Sequence, residues 1–376
     1  MIKSVLAFTV TAVVLILFLV VIQTSILKNG PSPKSHQVML KLASSSGVVS
    51  PVKLILEKYC EEKSVIAIPI SQDFNGIPLI DVYIGEPPQV ISTALDTASC
   101  DLVVSGKDCS SCGSKLGKYN PTLSNSSEEL DKCSNVTYGT QSDDGCWWSD
   151  EIGFVGKCVQ SCSDLNSRSI LDMVKFKEIK FMVSKERKES PYADGLPKSD
   201  YSVFGLCHST DLPKPVMRQI LENNEEINFT LVISKKQKWF ILGRLPENCT
   251  VMYNLEHIFH PEFFVVKIAS LCLGGAVLSL APKKVIVDSG SNFMFVPHSL
   301  LAEIKSKKDF GKKSIEFEFS NFTLTIPPES YYQDRTLLIY GYENNDSIIL
   351  GSLLLNNTAI TFNIVKRTVS IGQFQN

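Results

Sequence analysis

Two short strings constrain this chain more than anything else in it: Ala94-Leu95-Asp96-Thr97-Ala98-Ser99 and Val285-Ile286-Val287-Asp288-Ser289-Gly290-Ser291. Each is an apolar run that reads as a buried strand. Each ends in Asp, a hydroxyl residue, a small residue and a second hydroxyl. The two Asp residues are 192 positions apart. Asp-Ser-Gly alone is also a common turn, so neither string says much by itself. As a pair they supply what hydrolysis by two carboxyl groups requires: one ionised to activate water, the other protonated to polarise a carbonyl. Carboxylates about 3 Å apart cannot both ionise, so such a pair separates its pKa values.

Four more strings accompany them. Val203-Phe204-Gly205 follows the first Asp and Ile349-Leu350-Gly351 the second. Ile84-Gly85-Glu86-Pro87-Pro88-Gln89 punctuates the chain before Asp96, and Val136-Thr137-Tyr138-Gly139-Thr140 is a β-rich strand end with a glycine turn. From about residue 66 to the C terminus, this set resembles the pepsin-like aspartic proteases. The resemblance implies an all-β, bilobal fold with a few short helices, two β-rich lobes flanking a peptide cleft. It also implies Asp96 and Asp288 as the catalytic pair, with Thr97 and Ser289 cross-bonding the two loops. Ser99 and Ser291 would bond the outer carboxylate oxygens. Tyr138, Gly139 and Thr140 would form the tip of a flap over a peptide or protein substrate.

The chain departs from the family pattern at four places. Ala98 stands where the family has Gly, and a Cβ there would crowd the carboxylates. Val103 replaces a Trp that supports the flap tyrosine. Tyr201-Ser202 replaces Asp-Gly before the first apolar-apolar-Gly, and Ser352 replaces an Asp after the second. Two readings follow: an aspartic-type endopeptidase, or an inactive homologue that binds peptide or protein ligands.

The 376 residues are 44% hydrophobic with a formal net charge of −2, enough material for two cores and no reason to expect nucleic acid. No cofactor or metal is expected, since His257 and His260 lack a third ligand nearby. A monomer is expected.

Residues 5–22 form an apolar run that is long for a signal peptide and short for a membrane span. Lys28, Lys34 and Lys41 follow it, which would put the rest of the chain in the cytosol by the positive-inside rule. Seven Asn-x-Ser/Thr sequons argue otherwise: Asn125, Asn135, Asn228, Asn248, Asn321, Asn345 and Asn356. Eleven cysteines point the same way, to a lumenal or extracellular chain. Residues 1–25 are then either a cleaved signal peptide or an anchor. The odd cysteine count leaves at least one unpaired or paired with another molecule. Cys109-x-x-Cys112 with Cys158 and Cys162 could also be read as a zinc set, although the oxidising context favours disulfides.

Residues 26–65 read as a propeptide-like or stalk segment, 66–233 as the N-terminal lobe with flap, and 234–376 as the C-terminal lobe. Short helices are expected at 214–223 and 299–307. Trp147 and Trp148, in an insertion-like segment after the flap string, read either as a hydrophobic wall of the cleft or as packing under a disulfide loop, with packing favoured. The sequons generate the first prediction. Protein from a secretory host should lose several kilodaltons of apparent mass on enzymatic deglycosylation. An unchanged mass with free thiols at most cysteines would place the chain in the cytosol.

Overall fold

The computed structural model describes residues 65–376 apart from 74–75, 114, 168–171, 191–199, 210–214, 222–227, 235, 247–248, 334–335, 344–345, 353–356 and 375–376. The apolar run at 5–22, nearly all of the 26–65 segment, and the sequons Asn248, Asn345 and Asn356 lie outside these residues. No described helix is long and apolar enough to cross a membrane.

The chain is built from β-strands with a few short helices. The one helix of nine residues, His298–Ser306, buries Leu300 and Ile304, one turn apart on one face. It starts and stops one residue before the span expected from sequence. Within the other expected span, 214–223, a helix runs over Val216–Ile220, with Pro215 and Leu221 as its flanking caps.

One motif occurs twice and explains the duplicated strings. The strand Gln89–Asp96 runs parallel to Ser202–Gly205, with Asp96 opposite Gly205. The chain then returns as Leu102–Ser105, antiparallel on the far side of that glycine strand. In the second half, Lys284–Val287 runs parallel to Ser347–Leu350, and Met294–Pro297 returns antiparallel. Each Asp loop is thereby wrapped around the strand carrying apolar-apolar-Gly. That wrapping explains the glycine. A Cβ on Gly205 would lie 2.4 Å from the carbonyl carbon of Cys100, and one on Gly351 would lie 2.1 Å from the Phe293 carbonyl oxygen.

A base sheet joins the two halves. Its strand order is Thr368–Gln373, Thr358–Asn363, Asn228–Ile233, Lys238–Leu242, Val65–Pro69, then Gln141–Val159. Asn228–Ile233 and Thr358–Asn363 are buried at every position, so they show no polar–apolar alternation. Phe229 stacks on Phe362 at 4.8 Å, and Phe264 meets the same ring edge-on at 4.8 Å. This burial sets one sequon apart from the exposed ones. Asn228 is only 7% exposed and its side-chain oxygen accepts a hydrogen bond from Asn363, so a glycan there would have to displace this packing. Asn125, Asn135 and Asn321 are exposed.

The disulfides Cys100–Cys207, Cys109–Cys112, Cys133–Cys146 and Cys162–Cys249 are formed, and Cys158 is also disulfide-bonded. They absorb the cysteines of the alternative zinc set and belong to an oxidising compartment. Cys272 is a buried free thiol.

Two glycine substitutions separate close approach from mere surface position. Gly205→Ala should cost about 1–3 kcal/mol or more by overpacking against fixed backbone. Gly139→Ala, whose new methyl group would meet nothing within 4 Å, should stay within about 0.5 kcal/mol of wild type. Denaturation midpoints measure both, and equal midpoints would contradict the wrapped-loop account.

Candidate active site

The two Asp loops are held together by four hydrogen bonds. Thr97 Oγ1 donates to the Val287 carbonyl (2.8 Å) and accepts from the Ser289 amide (3.0 Å). Ser289 Oγ donates to the Leu95 carbonyl (2.7 Å) and accepts from the Thr97 amide (3.1 Å). A hydroxyl can donate once and accept as well, so each side chain serves both loops. Both residues are fully buried, where such bonds are strong and their loss is costly.

This lattice brings the carboxyl groups of Asp96 and Asp288 close enough for each to shift the titration of the other. The Ala98 amide donates to Asp96 Oδ1 (2.8 Å) and the Gly290 amide to Asp288 Oδ1 (3.0 Å), so positions 98 and 290 are counterparts. Gly290 lies against the opposite carboxyl group: a Cβ there would sit 2.4 Å from Asp96 Cγ. Burial pushes both Asp pKa values up, and for Asp288 the charge of Asp96 adds to it. At Asp96, burial is partly offset by Ser99, the Ala98 amide and Asp288 itself. The pair therefore titrates as a unit, both carboxyl groups held above their ordinary range.

The outer hydroxyls are arranged less symmetrically. Ser99 Oγ faces Asp96 and favours its ionised form, yet it is buried without a partner in full hydrogen-bond geometry. Ser291 Oγ turns instead to the Phe293 carbonyl (3.3 Å), and Asp288 is steadied by the Ser291 backbone amide. Ser352 donates its amide to the Ser291 carbonyl (2.6 Å), while its own Oγ is buried and unpartnered.

The strands Glu128–Thr137 and Gln141–Val159 form a hairpin whose tip is Tyr138-Gly139-Thr140, closed by the Tyr138 amide donating to the Gln141 carbonyl (2.7 Å). Tyr138 packs on Val103, Trp147 and Met182. Its hydroxyl is buried without a partner. Burial, then the charges of Asp143, Asp101 and Asp96, hold its pKa well above the usual phenol value, so it stays protonated beside Asp96. The indole absent at position 103 is supplied from the hairpin: Trp147 fills this cluster and donates from Nε1 to Ser134 Oγ (2.9 Å).

The hairpin has a third strand. Asp172–Glu189 pairs along Gln141–Val159 up to Gln141, and the Ser190 amide donates to the Thr140 carbonyl (3.2 Å). Arg187 fixes this strand from within, with Nε on Asp143 Oδ1 (2.9 Å) and Nη1 on Asp200 Oδ1 (3.2 Å). Asp143 is fully buried and also accepts from Gln141 Nε2 (2.9 Å). Sequence reasoning missed this cluster. Lys185-Glu186-Arg187-Lys188-Glu189 reads as a solvated charge run, and nothing in it marks Arg187 as the buried member.

No group of three or more potential metal ligands occurs among the described residues. His260 Nδ1 accepts from the Glu262 and Phe263 amides, and His257 is exposed.

The family model described as eukaryotic aspartyl protease matches residues 79–175. Chymosin of Callithrix jacchus is 21% identical over 321 residues, covering 78% of this chain and 79% of chymosin. Rhizopuspepsin-4 of Rhizopus niveus is 22% identical over 339 residues, covering 82% and 81%. Vacuolar protease A of Neurospora crassa is 22% identical over 284 residues, covering 70% and 68%.

Asp101 gives the site a pH dependence that can be measured. Burial raises its pKa to about 6, partly opposed by Lys132. Between its unfolded and folded pKa values, the folded protein thus holds a proton that the unfolded chain has released. Its contribution to stability is full below about pH 4 and is lost as pH rises through about 6. The raised pKa values of Asp96 and Asp288 act in the same direction. Asp101→Asn should flatten the fall in Tm across this window, and an unchanged slope would show that Asp101 does not carry it.

Proposed function

We propose that this chain, a divergent member of the pepsin-like aspartic protease family, is an aspartic-type endopeptidase. The observation that carries the proposal is the Asp96–Asp288 pair, brought together on two loops that Thr97 and Ser289 clamp to each other. Ionised Asp96 takes a proton from the attacking water. Protonated Asp288 gives its proton to the carbonyl oxygen of the scissile peptide. The products of that step are a neutral gem-diol intermediate and a pair whose proton has changed sides, ready to protonate the leaving amine. No covalent enzyme intermediate is required. The substrate is an extended peptide lying between a lobe of residues 66–233, which carries Asp96 and the flap, and a lobe of residues 234–376, which carries Asp288. Main-chain bonding to such a strand gives affinity, and pockets for alternate side chains give selectivity. The disulfides support a secretory or extracellular location, with glycans at Asn125, Asn135 and Asn321 and with residues 5–22 as signal or anchor.

A second reading has its own observation. Gly290 closely abuts Asp96, and its counterpart 98 carries a methyl group. A methyl group at this counterpart position would crowd the carboxyl groups and the water held between them. A homologue so obstructed would bind peptides without cleaving them.

Both readings meet in one set of acid-pH peptidase assays on protein freed of its N-terminal segment. Asp96→Asn and Asp288→Asn should each abolish cleavage while leaving Tm near wild type, because each removes a group needed in the transition state. Ala98→Gly should raise the rate about tenfold if the methyl obstructs water, equivalent to about 1.4 kcal/mol in the barrier. Cleavage surviving in both Asn variants sinks the assignment of the pair. Folded protein that cleaves nothing from acid to neutral pH, with or without Ala98→Gly, leaves the binding reading standing.

A further inference from the structure

The outer face of the flap hairpin carries a feature that peptide hydrolysis does not use. Cys133 and Cys146 sit directly opposite each other on its two arms and are disulfide-bonded. The two halves of this cystine differ. Cys133 is exposed, whereas Cys146 is 4% exposed. Lys185 Nζ lies 3.0 Å from Cys146 Sγ. Two neighbouring carboxylates, Asp144 and Glu186, are engaged by Lys188 at 3.0 and 2.9 Å. The Lys185 charge is therefore left on the sulfur. Cys133, Ser134, Asp144, Gly145, Cys146, Lys185 and Glu186 together line a surface hollow of about 410 Å³.

We infer that Cys133–Cys146 is a thiol–disulfide exchange site for a small-molecule thiol. Exchange is faster when the sulfur under attack is accessible and when the departing thiolate is stabilised. Here the accessible sulfur and the stabilised one are the two ends of the same bond. The incoming thiolate attacks Cys133 Sγ from the hollow. A mixed disulfide forms on Cys133, the Cys133–Cys146 bond breaks, and its electron pair leaves on Cys146 as a thiolate beside the Lys185 ammonium. A nearby cation lowers a thiol's pKa in this way. A second thiolate then attacks the mixed disulfide at the sulfur of the first. It releases the oxidised small-molecule disulfide and leaves Cys133 as a thiolate. In sum, two thiols are oxidised to one disulfide and the cystine is reduced to two cysteines.

The other disulfides with both partners described lack this combination. Cys109, Cys112 and Cys207 are buried, and Cys100, Cys162 and Cys249 are not exposed. Opening the bond would be felt at the flap tip. Ser134, next to Cys133, holds the Trp147 indole, and Trp147, next to Cys146, supports Tyr138.

The test exposes the full-length folded protein to graded reduced glutathione, followed by alkylation and peptide mapping. Cys133 and Cys146 should take up label first, on the order of tenfold faster than the other paired cysteines. The trapped glutathione adduct should sit on Cys133. Lys185→Gln, a change at an exposed position, should slow opening severalfold, and Lys185→Arg should restore it. Another disulfide opening first, an adduct on Cys146, or wild-type opening in Lys185→Gln would each overturn the inference. None of these readouts depends on peptidase activity, so failure here leaves the proposed hydrolysis untouched.

Discussion

The four hydrogen bonds between Thr97 and Ser289 and the opposite loops are the constraint on which the candidate site depends. Two strand ends bearing acidic side chains would not be brought together by electrostatics, because two buried carboxylates repel and each is costly to desolvate. The hydroxyl lattice supplies the opposing force. It satisfies the backbone groups at the ends of both strands, and it does so only when both halves are present. Burial raises the pKa values of both Asp96 and Asp288, and the enforced proximity of Asp96 raises that of Asp288 further. The chemistry proposed for the pair is thus a consequence of bonds made by neighbouring residues that carry no charge.

The flap shows a different balance. Its tip tyrosine rests on an apolar cluster to which strand 102–105 contributes Val103 and the hairpin itself contributes Trp147. The third strand, the Ser190–Thr140 bond and the buried Arg187 hold the hairpin along its length. A buried ion pair of this kind adds little net stability when intact but is costly to break on one side. It therefore restricts the arrangements open to the hairpin more than it strengthens the fold. An enclosing wall already ordered before a ligand arrives reduces the ordering cost of binding.

Much of this was legible in the sequence because it is local. The Asp strings and the apolar-apolar-Gly strings are contiguous, and their residue types follow from hydrogen-bonding and close-approach requirements; the Tyr-Gly-Thr tip is contiguous too, but it was legible only through the family resemblance. The helix at His298–Ser306 was legible for the same reason. What was hidden is non-local. The partners of Arg187 lie 44 and 13 residues away. The Cys100–Cys207 link spans 107 residues. The burial of Asn228 depends on its pairing with Asn363 at the far end of the chain, and the sequon itself carries no mark of it. Ser291, placed by resemblance on the outer oxygen of Asp288, is drawn to Phe293 by a local backbone turn that the motif does not encode.

The Cys100–Cys207 bond encloses the flap and all three of its strands in one covalent ring. The described disulfides all lie at or before Cys249, so the stretch around Asp288 has no such ring among the described residues. A site that is nearly twofold in its hydrogen bonds is therefore lopsided in its cross-links. Closing a loop of about 100 residues removes several kcal/mol of freedom from the unfolded chain, about 4.7 in the chain-entropy account. The first Asp loop thus stays near its native neighbours even when its packing loosens. The second relies on the hydroxyl lattice and its own core, and its amides should exchange hydrogen sooner under mild denaturant. A nick inside the ring would leave both fragments tethered; one beyond Cys249 could let the Asp288 half drift away.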